Sequence, residues 1–590
     1  PCQSSSVTSV FLLRSLCLLL VGSKTPCLLA AGAKTPFTTI EAESGQLGGR
    51  AALQQFIIGS PVPTVATKEL EASGGAFVTL TQTGDSISWR NPVAGANTIV
   101  VRNCIPDTDD GSGQVSTINL YVDGKFRQAI QVSSRQSWVY RKATPTINNP
   151  KGGGMPYHFY NEDRAILKGP PIPANATIEL RKDTDNGTTY YDIDCIDLEN
   201  VGSPLPRPAN SLSIVDFGAD PSFEIDSTEA IGKCINEARL QGKSVWIPPG
   251  KFMLNHLKGG GLNLTGVTVN GAGVWHSMLY RNIPLPPPSL PWRSNISLGT
   301  NSVLRDVSID SNSIYKAIGG VSGDDYGITS SGENWLIERV WVQHCDAQWL
   351  SGSNGTMRDS RVADSWADGI NVNNGNTPSP NKRGMNLTVQ NNFVRGTGDD
   401  GIAAFSDAGS KGDNSQMDGT RILDNTTVAT WWANGLRIAG GKNVTVRNNL
   451  VMDVAANNGM EISIFGETSQ PLESATITGN VVLRGGGWNT IRNGINIGGG
   501  EAVTANIIFN DNVIIDSRRM GVKVGGKQLD LTFQNNVIRG SATTGIQIIK
   551  GLNGRSVMTS NKVQQQRDKQ PPFINQSPTS FQVQSSGNSW

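Results

Sequence analysis

The sequence predicts an all-β protein in which a β-sandwich is followed by a solenoid of short strands. Three observations support this prediction. Glycine is abundant, with 67 residues among 590, and charged residues make up only 17%. The second half of the chain also carries an imperfect repeat of short apolar segments. This balance is typical of turn-rich β proteins rather than of helical ones.

The overall charge excludes one class of partner. A formal net charge of +1 lacks the basic excess with which nucleic-acid-binding proteins neutralise phosphates. We therefore expect no nucleic-acid partner.

The N-terminus carries a candidate export signal. An apolar run from Val10 to Gly22, interrupted by Arg14, precedes the small residues Ala30 to Ala33. This pattern predicts a signal peptide over residues 1–35, since the alternative, a membrane anchor, needs a longer uninterrupted run. We expect a secreted protein without membrane association after cleavage. In an oxidising compartment, one or two disulfides of open pairing are expected among Cys104, Cys195, Cys234 and Cys345.

Residues 36–203 alternate apolar and polar side chains in short runs. Examples are "INLYVDGK", from Ile118 to Lys125, and "TIELRK", from Thr177 to Lys182, with the turn dipeptide Asp123-Gly124 inside the first. Short alternating strands bounded by such turns predict a β-sandwich. The proline-rich segment 204–210 predicts a linker. The sandwich is therefore expected to be a separable module that hydrolysis of soluble substrates does not require.

Acidic residues mark both ends of this module, in "IEAES" (Ile40–Ser44) and "DIDCIDLEN" (Asp192–Asn200). These segments resemble the first and last strands of jelly-roll carbohydrate-binding modules of families 6 and 35, in which acidic residues hold a structural calcium ion. Oxygen ligands suit Ca²⁺. The resemblance implies a calcium site at Glu41, Glu43 and Asp197; the alternative is solvated carboxylates on edge strands. Candidate sugar platforms, each equally compatible with the core, are Trp89, Trp138 and Tyr157.

The second domain, residues 211–590, begins with a strand, a helix and another strand. The segment runs from Ser213 to Leu254, with Ser227 as the expected N-cap of the helix and "IPPG" after the second strand. This order resembles the N-terminal cap of right-handed parallel β-helix proteins of the pectate-lyase-like superfamily. The resemblance implies that architecture and leaves the reaction open.

An imperfect repeat of roughly 24 to 35 residues follows, as in solenoid proteins. Each unit has an apolar strand near an asparagine and a second strand of the form Gly-apolar-x-apolar. The asparagines are Asn392, Asn449, Asn480, Asn512 and Asn536, and the glycines are Gly369, Gly401, Gly435, Gly459, Gly494, Gly521 and Gly545. The recurring asparagines predict a ladder of side chains at one corner of the solenoid. A propeller would need four strands per unit and is excluded.

Two aspartates stand at the same position of successive coils. Asp368 precedes Gly369 and Asp400 precedes Gly401, so in a parallel stack their backbones lie about 4.7–4.9 Å apart. Asp399 adds a third carboxylate. Like charges raise at least one pKa in such a group, and a protonated acid beside ionised bases is what hydrolysis of a glycosidic bond requires. The alternatives are a calcium site and a solvated acidic corner.

Neighbouring residues favour a sugar substrate. Trp366 and Trp432 each lie two residues before the aspartate or asparagine that precedes the glycine of their coil. Exposed indoles stack on pyranose rings, although burial in the core is the alternative. The column two residues after each glycine contains Asn371, Arg437 and Glu461, and it faces outward if the intervening apolar residues point inward. Arg437 and Glu461 are expected to pair across coils or to bind substrate hydroxyls.

The pair "WADGIN" (Trp366–Asn371) and "GTGDDGIAAFSD" (Gly396–Asp407) resembles the α-1,3-glucanase and mycodextranase family of glycoside hydrolases. The resemblance covers roughly residues 37–570. It implies three catalytic aspartates at the positions singled out above and no cofactor for catalysis. A more distant resemblance to polygalacturonases stops at the coil "ANGLRIAGG", which lacks their Gly-His-Gly and Arg-x-Lys motifs, so a neutral glucan is favoured over a uronate polymer.

We therefore expect a monomeric, extracellular, inverting endo-glucanase that acts on α-1,3-linked or mixed α-1,3/α-1,4-linked glucan. Asp368 and Asp400 would share and deprotonate a water, while Asp399 protonates the leaving oxygen; exchanging Asp399 and Asp400 is the alternative assignment. Two other functions remain open. One is a pectate-lyase-like eliminase that uses Ca²⁺ and Arg437, and the other is a non-catalytic sugar-binding adhesin.

Overall fold

The computed structural model describes residues 31–140, 155–255, 261–282, 294–313, 326–375, 384–409, 415–489, 492–498 and 503–590. It confirms the all-β prediction, with two antiparallel sheets followed by two long parallel sheets. The apolar run of the expected signal peptide lies outside the described residues. No helix in the described part of the chain has the length and apolar character to cross a membrane.

The N-terminal domain is a β-sandwich whose first and last strands pair antiparallel in one sheet. This inner sheet, which faces the second domain, contains Phe37–Glu41, Ala52–Gln55, Ala76–Leu80, Thr98–Cys104, Asn161–Ile166 and Tyr191–Glu199. The outer sheet contains Gln46–Gly48, Ser86–Arg90, Val115–Val122, Lys125–Ser133 and Thr177–Arg181. The remaining elements are a small sheet of Val139–Tyr140 and Pro156–His158, the helix Lys68–Glu71, and the 3₁₀ helices Ala42–Ser44 and Ser73–Gly75. Buried aliphatic side chains from both sheets form the core between them.

The second domain is a parallel β-helix. Among the described residues, its larger sheet has 24 strands and contributes two strands to most coils. Its strands are Ser211–Ser213, Ser244–Ile247, Gly250–Met253, Thr268–Gly271, Ser277–Tyr280, Val303–Asp310, Leu336–Gln343, Thr356–Arg358, Arg361–Ser365, Thr388–Gln390, Phe393–Thr397, Arg421–Leu423, Thr426–Val428, Val444–Arg447, Leu450–Met452, Ser474–Thr478, Val481–Leu483, Ala505–Asn510, Val513–Ile515, Gln528–Gln534, Val537–Arg539, Asn553–Thr559, Lys562–Gln564 and Phe581–Ser586.

The smaller sheet has 12 strands within the described ranges and carries the Gly-apolar-x-apolar segments of the repeat. Its strands are Leu262–Asn263, Ser294–Leu298, Tyr326–Ser330, Gln348–Leu350, Ile370–Asn373, Ile402–Phe405, Leu436–Ala439, Met460–Ile462, Ile495–Gly498, Val522–Gly525, Ile546–Ile548 and Phe573–Asn575. Inward-pointing Ile, Val and Leu residues of successive coils stack into one continuous core between the two sheets. This register confirms the predicted repeat.

The helix Thr228–Gln241 covers the first coil. Its buried residues Ile231, Cys234, Ile235 and Ala238 recur every three to four positions and pack on the core, so a single apolar face closes the end of the solenoid. Ser227 is the N-cap residue, as predicted. Its hydroxyl accepts the N–H of Asp220 at 3.0 Å instead of capping the helix.

The predicted asparagine ladder is confirmed and is longer than the sequence indicated. It comprises Asn392, Asn425, Asn449, Asn480, Asn512, Asn536, Asn561 and Asn588. In each step the backbone N–H of one asparagine donates to the side-chain oxygen of the next at 2.9–3.0 Å. The ladder satisfies donors that the sharp corner would otherwise leave buried and unpaired.

The two domains share a buried interface. His158 of the sandwich stacks on Trp431, with ring centroids 4.8 Å apart, and meets the edge of Trp366 at 6.2 Å. Glu162 of the sandwich forms ion pairs with Arg361 and Arg395 of the β-helix. This packing argues against the expected independence of the sandwich.

The same interface overturns the expected calcium site. Oδ2 of Asp197 lies 2.7 Å from a guanidinium nitrogen of Arg361 and 2.7 Å from one of Arg395. Oδ1 lies 3.3 Å from a second nitrogen of Arg395. Although burial opposes ionisation, these arginines lower the pKa of Asp197 to about 2. Glu41 instead accepts a hydrogen bond from Ser73 at 2.6 Å, and burial raises the pKa of Glu43 to about 8. The three residues therefore do not form the single oxygen cage that Ca²⁺ needs.

The expected disulfides are also absent from the described residues. The four cysteines are buried, and no two of them are bonded to each other in the described part of the chain. Cys104 and Cys195 belong to neighbouring strands but are offset in register, Cys104 facing Asp192 and Cys195 facing Arg102. The cysteines act as small apolar core residues.

Candidate active site

A second ladder runs along the corner that precedes the strands of the smaller sheet. Asp368 accepts the backbone N–H of Asp400 at 3.0 Å. Asp400 accepts both the backbone N–H of Asn434 at 2.9 Å and its side-chain NH₂ at 2.7 Å. Asn434 and Asn458 continue the pattern, accepting the N–H groups of Asn458 and Asn493 at 3.2 and 2.6 Å. Two consecutive positions of a structural ladder are therefore carboxylates in place of amides.

The ladder brings the three predicted aspartates together. One carboxylate oxygen from each of Asp368, Asp399 and Asp400 lies within 4.8 Å of the others. The following strands pair Ile370 with Ile402, which confirms that Asp368 and Asp400 hold equivalent positions on adjacent coils. Asp400 is buried, with 4% of its surface exposed, whereas the other two are half-buried. The group thus lies at the surface of the corner, with one member beneath it.

Burial and mutual repulsion raise all three pKa values. Burial, Asp399 and Asp400 hold the pKa of Asp368 well above its usual range. Burial and Asp400 raise the pKa of Asp399 to about 7, against the opposing charge of Arg437. Burial also raises the pKa of Asp400, but Arg437 and the hydrogen bonds from Asn434 favour its ionised form. Near neutral pH the group therefore holds protonated and ionised carboxyls side by side.

The three carboxylates differ in how firmly they are held. Asp400 is fixed through one oxygen by two donors of Asn434. Asp368 is fixed through both oxygens, by the Asp400 N–H and by the Asn371 side chain at 2.9 Å. Among the described residues, no side chain donates a hydrogen bond to Asp399, and only the backbone N–H of Asp400 favours its ionised form as a donor. Asp399 is therefore the carboxyl with most freedom to approach a bound molecule.

The triad is also the only group of acidic, histidine and cysteine side chains in the described ranges whose spacing suits a metal ion. Three carboxylates supply the six oxygens of a minimal Ca²⁺ shell only if each binds through both of its oxygens. N–H donors already occupy oxygens of Asp368 and Asp400. The donor set suits proton transfer better than metal binding.

Trp366 does not have the predicted role of a substrate platform. Its side chain is 2% exposed and packs in the cluster between the domains, beside Trp431 and Tyr160. Trp89 and Tyr157 of the sandwich are buried as well, at 5% and 7% exposure. Trp366 faces the sandwich, and no pattern within the solenoid could reveal that.

Trp432 keeps part of its surface open. Its ring contacts the edge of Tyr157 at 5.1 Å and lies 5.8 Å from Trp488. Trp488 in turn stacks on Tyr157 at 5.3 Å. These three rings pack on one another, and Trp432 lies two residues before Asn434, which holds Asp400. Tyr157 is one of the candidate sugar platforms named from the sequence.

The column of polar residues behaves differently from the prediction. Asn371 is buried and orients Asp368. Glu461 accepts hydrogen bonds from Asn458, Ser463 and Asn496, so the expected Arg437–Glu461 ion pair does not form. The Arg437 guanidinium lies over the ring of Phe465 instead, 4.7 Å from its centroid.

Sequence reasoning missed two contributors to the site. Asn434 holds Asp400 through two hydrogen bonds, and its position in the same register as the aspartates was the signal that could have revealed it. Phe465 lies in a loop outside the repeat, so no periodicity pointed to it.

Two protein-family models match the chain. The model for α-1,3-glucanase catalytic domain D1 matches residues 34–201, and the model for domain D2 matches residues 222–494. Together the matches cover about three quarters of the chain and include all three aspartates. Among curated proteins, no sequence matches.

Solved structures of similar fold align along almost the whole chain. The Agl-KA catalytic domain is 22% identical, with 94% of this chain and 98% of that chain covered and a TM-score of 0.80. The catalytic unit of a thermostable GH87 α-1,3-glucanase from Streptomyces thermodiastaticus is 25% identical, with coverages of 95% and 97% and a TM-score of 0.76. A GH87 α-1,3-glucanase catalytic domain in complex with nigerose is 24% identical, with coverages of 95% and 100% and a TM-score of 0.76. With both catalytic-domain models matched and three acidic residues gathered at one corner, the chain belongs to the α-1,3-glucanase family of glycoside hydrolases.

Proposed function

We propose that this glycoside hydrolase cleaves α-1,3-glucosidic bonds inside glucan chains by a single displacement that inverts the anomeric centre. The observation that carries the proposal is the convergence of three carboxylates whose surroundings favour different protonation states. Relatives of this fold have been solved with nigerose and with tetrasaccharides bound, which supports an α-1,3-linked oligosaccharide as the ligand class.

Asp399 is the proposed general acid. Burial and Asp400 raise its pKa to about 7, so it carries a proton under mildly acidic conditions. The carboxyl of Asp399, to which no other side chain is hydrogen-bonded, is free to donate that proton to the glycosidic oxygen as the bond to C1 breaks. A general acid with a pKa close to the working pH is the most effective one.

Asp400, together with Asp368, is the proposed base. Asn434 and Arg437 favour the ionised form of Asp400, and the neighbouring Asp368 provides a second oxygen for a shared water. Asp400 takes a proton from this water while the oxygen of the water forms the new bond to C1. The products are two shorter chains, one of which carries the new reducing end. Atoms and charge therefore balance without a cofactor.

The number of carboxylates favours inversion, whereas their spacing does not. Acid and base lie about 6.5–9.5 Å apart in inverting enzymes and about 5–5.5 Å apart in retaining ones, whereas the nearest oxygens here lie within 4.8 Å. A retaining enzyme needs a nucleophile and an acid only. The third carboxylate is accounted for when two of them hold a water and the remaining one is the acid.

The test combines substrate choice with stereochemistry. The purified protein is incubated with α-1,3-glucan, nigeran, dextran and polygalacturonate, and the earliest products are observed by proton NMR before mutarotation. We expect cleavage of α-1,3-glucan with the β-anomer formed first, and action on nigeran if mixed α-1,3/α-1,4 linkages are accepted. An α-anomer as first product would make one of Asp368 and Asp400 the nucleophile of a retaining mechanism. Unsaturated products that absorb in the ultraviolet would identify a lyase, and an absence of products would favour the adhesin.

We further propose that the enzyme is secreted and monomeric. The apolar run before the small residues Ala30 to Ala33 supports export, since insoluble glucan is reached only outside the cell. N-terminal sequencing of protein recovered from the culture medium tests the cleavage, and light scattering on a sizing column tests the monomer. Retention of uncleaved chain in the cell would contradict export.

A further inference from the structure

Phe465 is an exposed aromatic side chain close to the acidic corner. Its side chain is 58% exposed, and in the described ranges only Phe126, at 57%, is another exposed aromatic residue. A large apolar surface left in water beside a ligand site is a common mark of ligand contact. Phe126 lies on the outer sheet of the sandwich.

The loop that carries Phe465 is firmly built. The N–H of Phe465 donates to the Ser469 hydroxyl at 2.8 Å, and its carbonyl accepts from the Thr468 hydroxyl at 2.6 Å. The loop is tied to the segment that follows the strand Ile402–Phe405, because the N–H of Ala408 donates to the carbonyl of Thr468 at 2.9 Å. The ring is thus fixed relative to the coil that bears Asp400.

Arg437 links the ring to the acidic corner. Its guanidinium lies 4.7 Å from the ring centroid, a cation–π geometry that fixes the plane of the ring. The charge of Arg437 also acts on the carboxyls of Asp399 and Asp400. One side chain therefore contacts the aromatic surface and faces the reacting groups.

The position of Phe465 along the solenoid can be read from the strand register. Ala403 pairs with Arg437, and Arg437 pairs with Glu461, so the strand before Phe465 lies two coils beyond the strand after Asp400. At about 4.8 Å per coil, this is about 10 Å along the axis. A glucan chain lying along the corner reaches this distance with a glucosyl unit that takes no part in the reaction.

We propose that Phe465 is a stacking platform for a glucosyl unit remote from the cleaved bond, and that it makes the enzyme prefer longer α-1,3-glucan chains. The inference rests on the proposed function, since it assumes an α-1,3-glucan substrate. The C–H face of a pyranose ring is apolar and matches a flat aromatic surface. The platform binds ground state and transition state alike, so it acts on KM rather than on kcat.

The test measures binding separately from chemistry. Nigerose and α-1,3-linked oligosaccharides of three to six units are titrated by calorimetry into the Asp399→Asn variant, with and without Phe465→Ala. We expect Phe465→Ala to weaken binding of the longer oligosaccharides by about tenfold, the loss typical of truncating one aromatic anchor. Binding of nigerose should change by less than twofold, because a disaccharide at the reacting groups does not reach the ring.

Two further variants make the result specific. Phe465→Trp keeps an aromatic surface and should retain the affinity for long oligosaccharides, and Phe126→Ala, an equally exposed ring on the outer sheet, should change nothing. Equal affinities with and without Phe465, or the same loss in Phe126→Ala or for nigerose, would overturn the platform while leaving the hydrolase intact. If the Asp399→Asn protein itself binds no α-1,3-linked oligosaccharide and the unmodified enzyme cleaves none, the platform and the proposed function both fall.

Discussion

Asp368 and Asp400 each have a structural role and, in the proposed mechanism, a chemical one. As ladder members they accept backbone N–H groups from the next coil, and an asparagine oxygen at either position accepts the same bond. An aspartate-to-asparagine change therefore removes the titrating proton while keeping the acceptor. Asp399 is not a ladder member, so its replacement removes only chemistry.

Single Asp→Asn changes at positions 368, 399 and 400 are each expected to lower turnover by about 10²–10⁴-fold, the usual contribution of an acid or base. The thermal unfolding midpoint should remain close to that of the parent, because the ladder bonds persist. Hydrolysis rates and differential scanning calorimetry check the two halves of this prediction. Asp530→Asn, on the surface of the solenoid, is the matched control and should leave both unchanged. Near-normal turnover in any two of the three variants would eliminate the triad.

Arg437→Gln is expected to move the whole pH–activity profile to higher pH. The positive charge of Arg437 lowers the pKa values of both Asp399 and Asp400. Its removal raises the pKa of the base, so the acidic limb moves up, and raises the pKa of the acid, so the alkaline limb moves up as well. A shift on the order of 0.5–1 pH unit is expected. The pH profile of kcat/KM measures the pKa values of the free enzyme. Arg437→Lys is the control and should shift the profile less, because lysine keeps the positive charge. An acidic limb that does not move in Arg437→Gln would show that Arg437 lies too far from the base to affect its pKa.

The sequence predicted the reacting groups and failed on their surroundings for one physical reason. Asp368 and Asp400 are related by the repeat, so their contact follows from local register. The burial of Trp366 depends on His158, more than 200 positions away, and no periodicity encodes that contact. Phe465 also lies outside the repeat, in a loop that hydrogen-bonds to the segment after the strand Ile402–Phe405, two coils away.

At the scale of the element, the asparagine ladder allows a tight corner in every coil. Residues next to the ladder, such as Asn391, Asn448 and Asn535, have φ values near +55°, a left-handed conformation that asparagine tolerates better than most residues. The corner turns N–H groups inward, and the ladder oxygens accept them. In the repeated Asn-Asn pair of "QNN" and "RNN", the first asparagine thus adopts the left-handed backbone conformation and the second forms the ladder hydrogen bonds.

Asn480→Ala is expected to destabilise the β-helix by about 2–4 kcal/mol in free energy of unfolding. Alanine would leave the N–H of Asn449 and the carbonyl of Val446, which bond to Asn480, buried and unpaired, at about 1–3 kcal/mol per group. Chemical denaturation monitored by circular dichroism measures the change. Asn506→Ala, an exposed asparagine in the next coil, should change the free energy by less than about 0.5 kcal/mol. Equal stability of the two variants would show that the ladder is not stabilising.

At the scale of the whole molecule, the sandwich is part of the catalytic unit. Strand Phe393–Thr397 carries Arg395 into the ion pairs with Glu162 and Asp197, and the chain reaches Asp399 two residues after that strand ends. His158 meanwhile stacks against the corner through Trp431. The fold class could be predicted from the periodicity within each domain. The interface could not, because its contacts join residues of two domains whose sequence patterns have different periods.

Glu162→Ala is expected to lower both stability and activity. It leaves Arg361 and Arg395 with only Asp197 in a buried site, and breaking a buried ion pair from one side costs about 3–5 kcal/mol. The unfolding midpoint should fall by several degrees, and turnover on soluble α-1,3-linked oligosaccharides should fall with it as the strand before Asp399 loses its anchor. Glu179→Ala, whose partner is Arg181 on the outer sheet, is the control. Unchanged turnover in a clearly destabilised Glu162→Ala protein would show that the sandwich supports folding without shaping the site.

Because the aspartates are members of a repeating ladder, the stacked acidic pair could be moved to another coil by substitution. Asp400 and Asn434 are consecutive members with the same backbone geometry, so exchanging carboxylate and amide between neighbouring coils transposes the charge by one step without altering the corner. Asp368→Asn combined with Asn434→Asp would place the stacked acidic pair one coil closer to Phe465. Asp399 would stay beside Asp400, so the stacked pair would move by one coil, about 4.8 Å along the axis, while the acid and the chain trace kept their places.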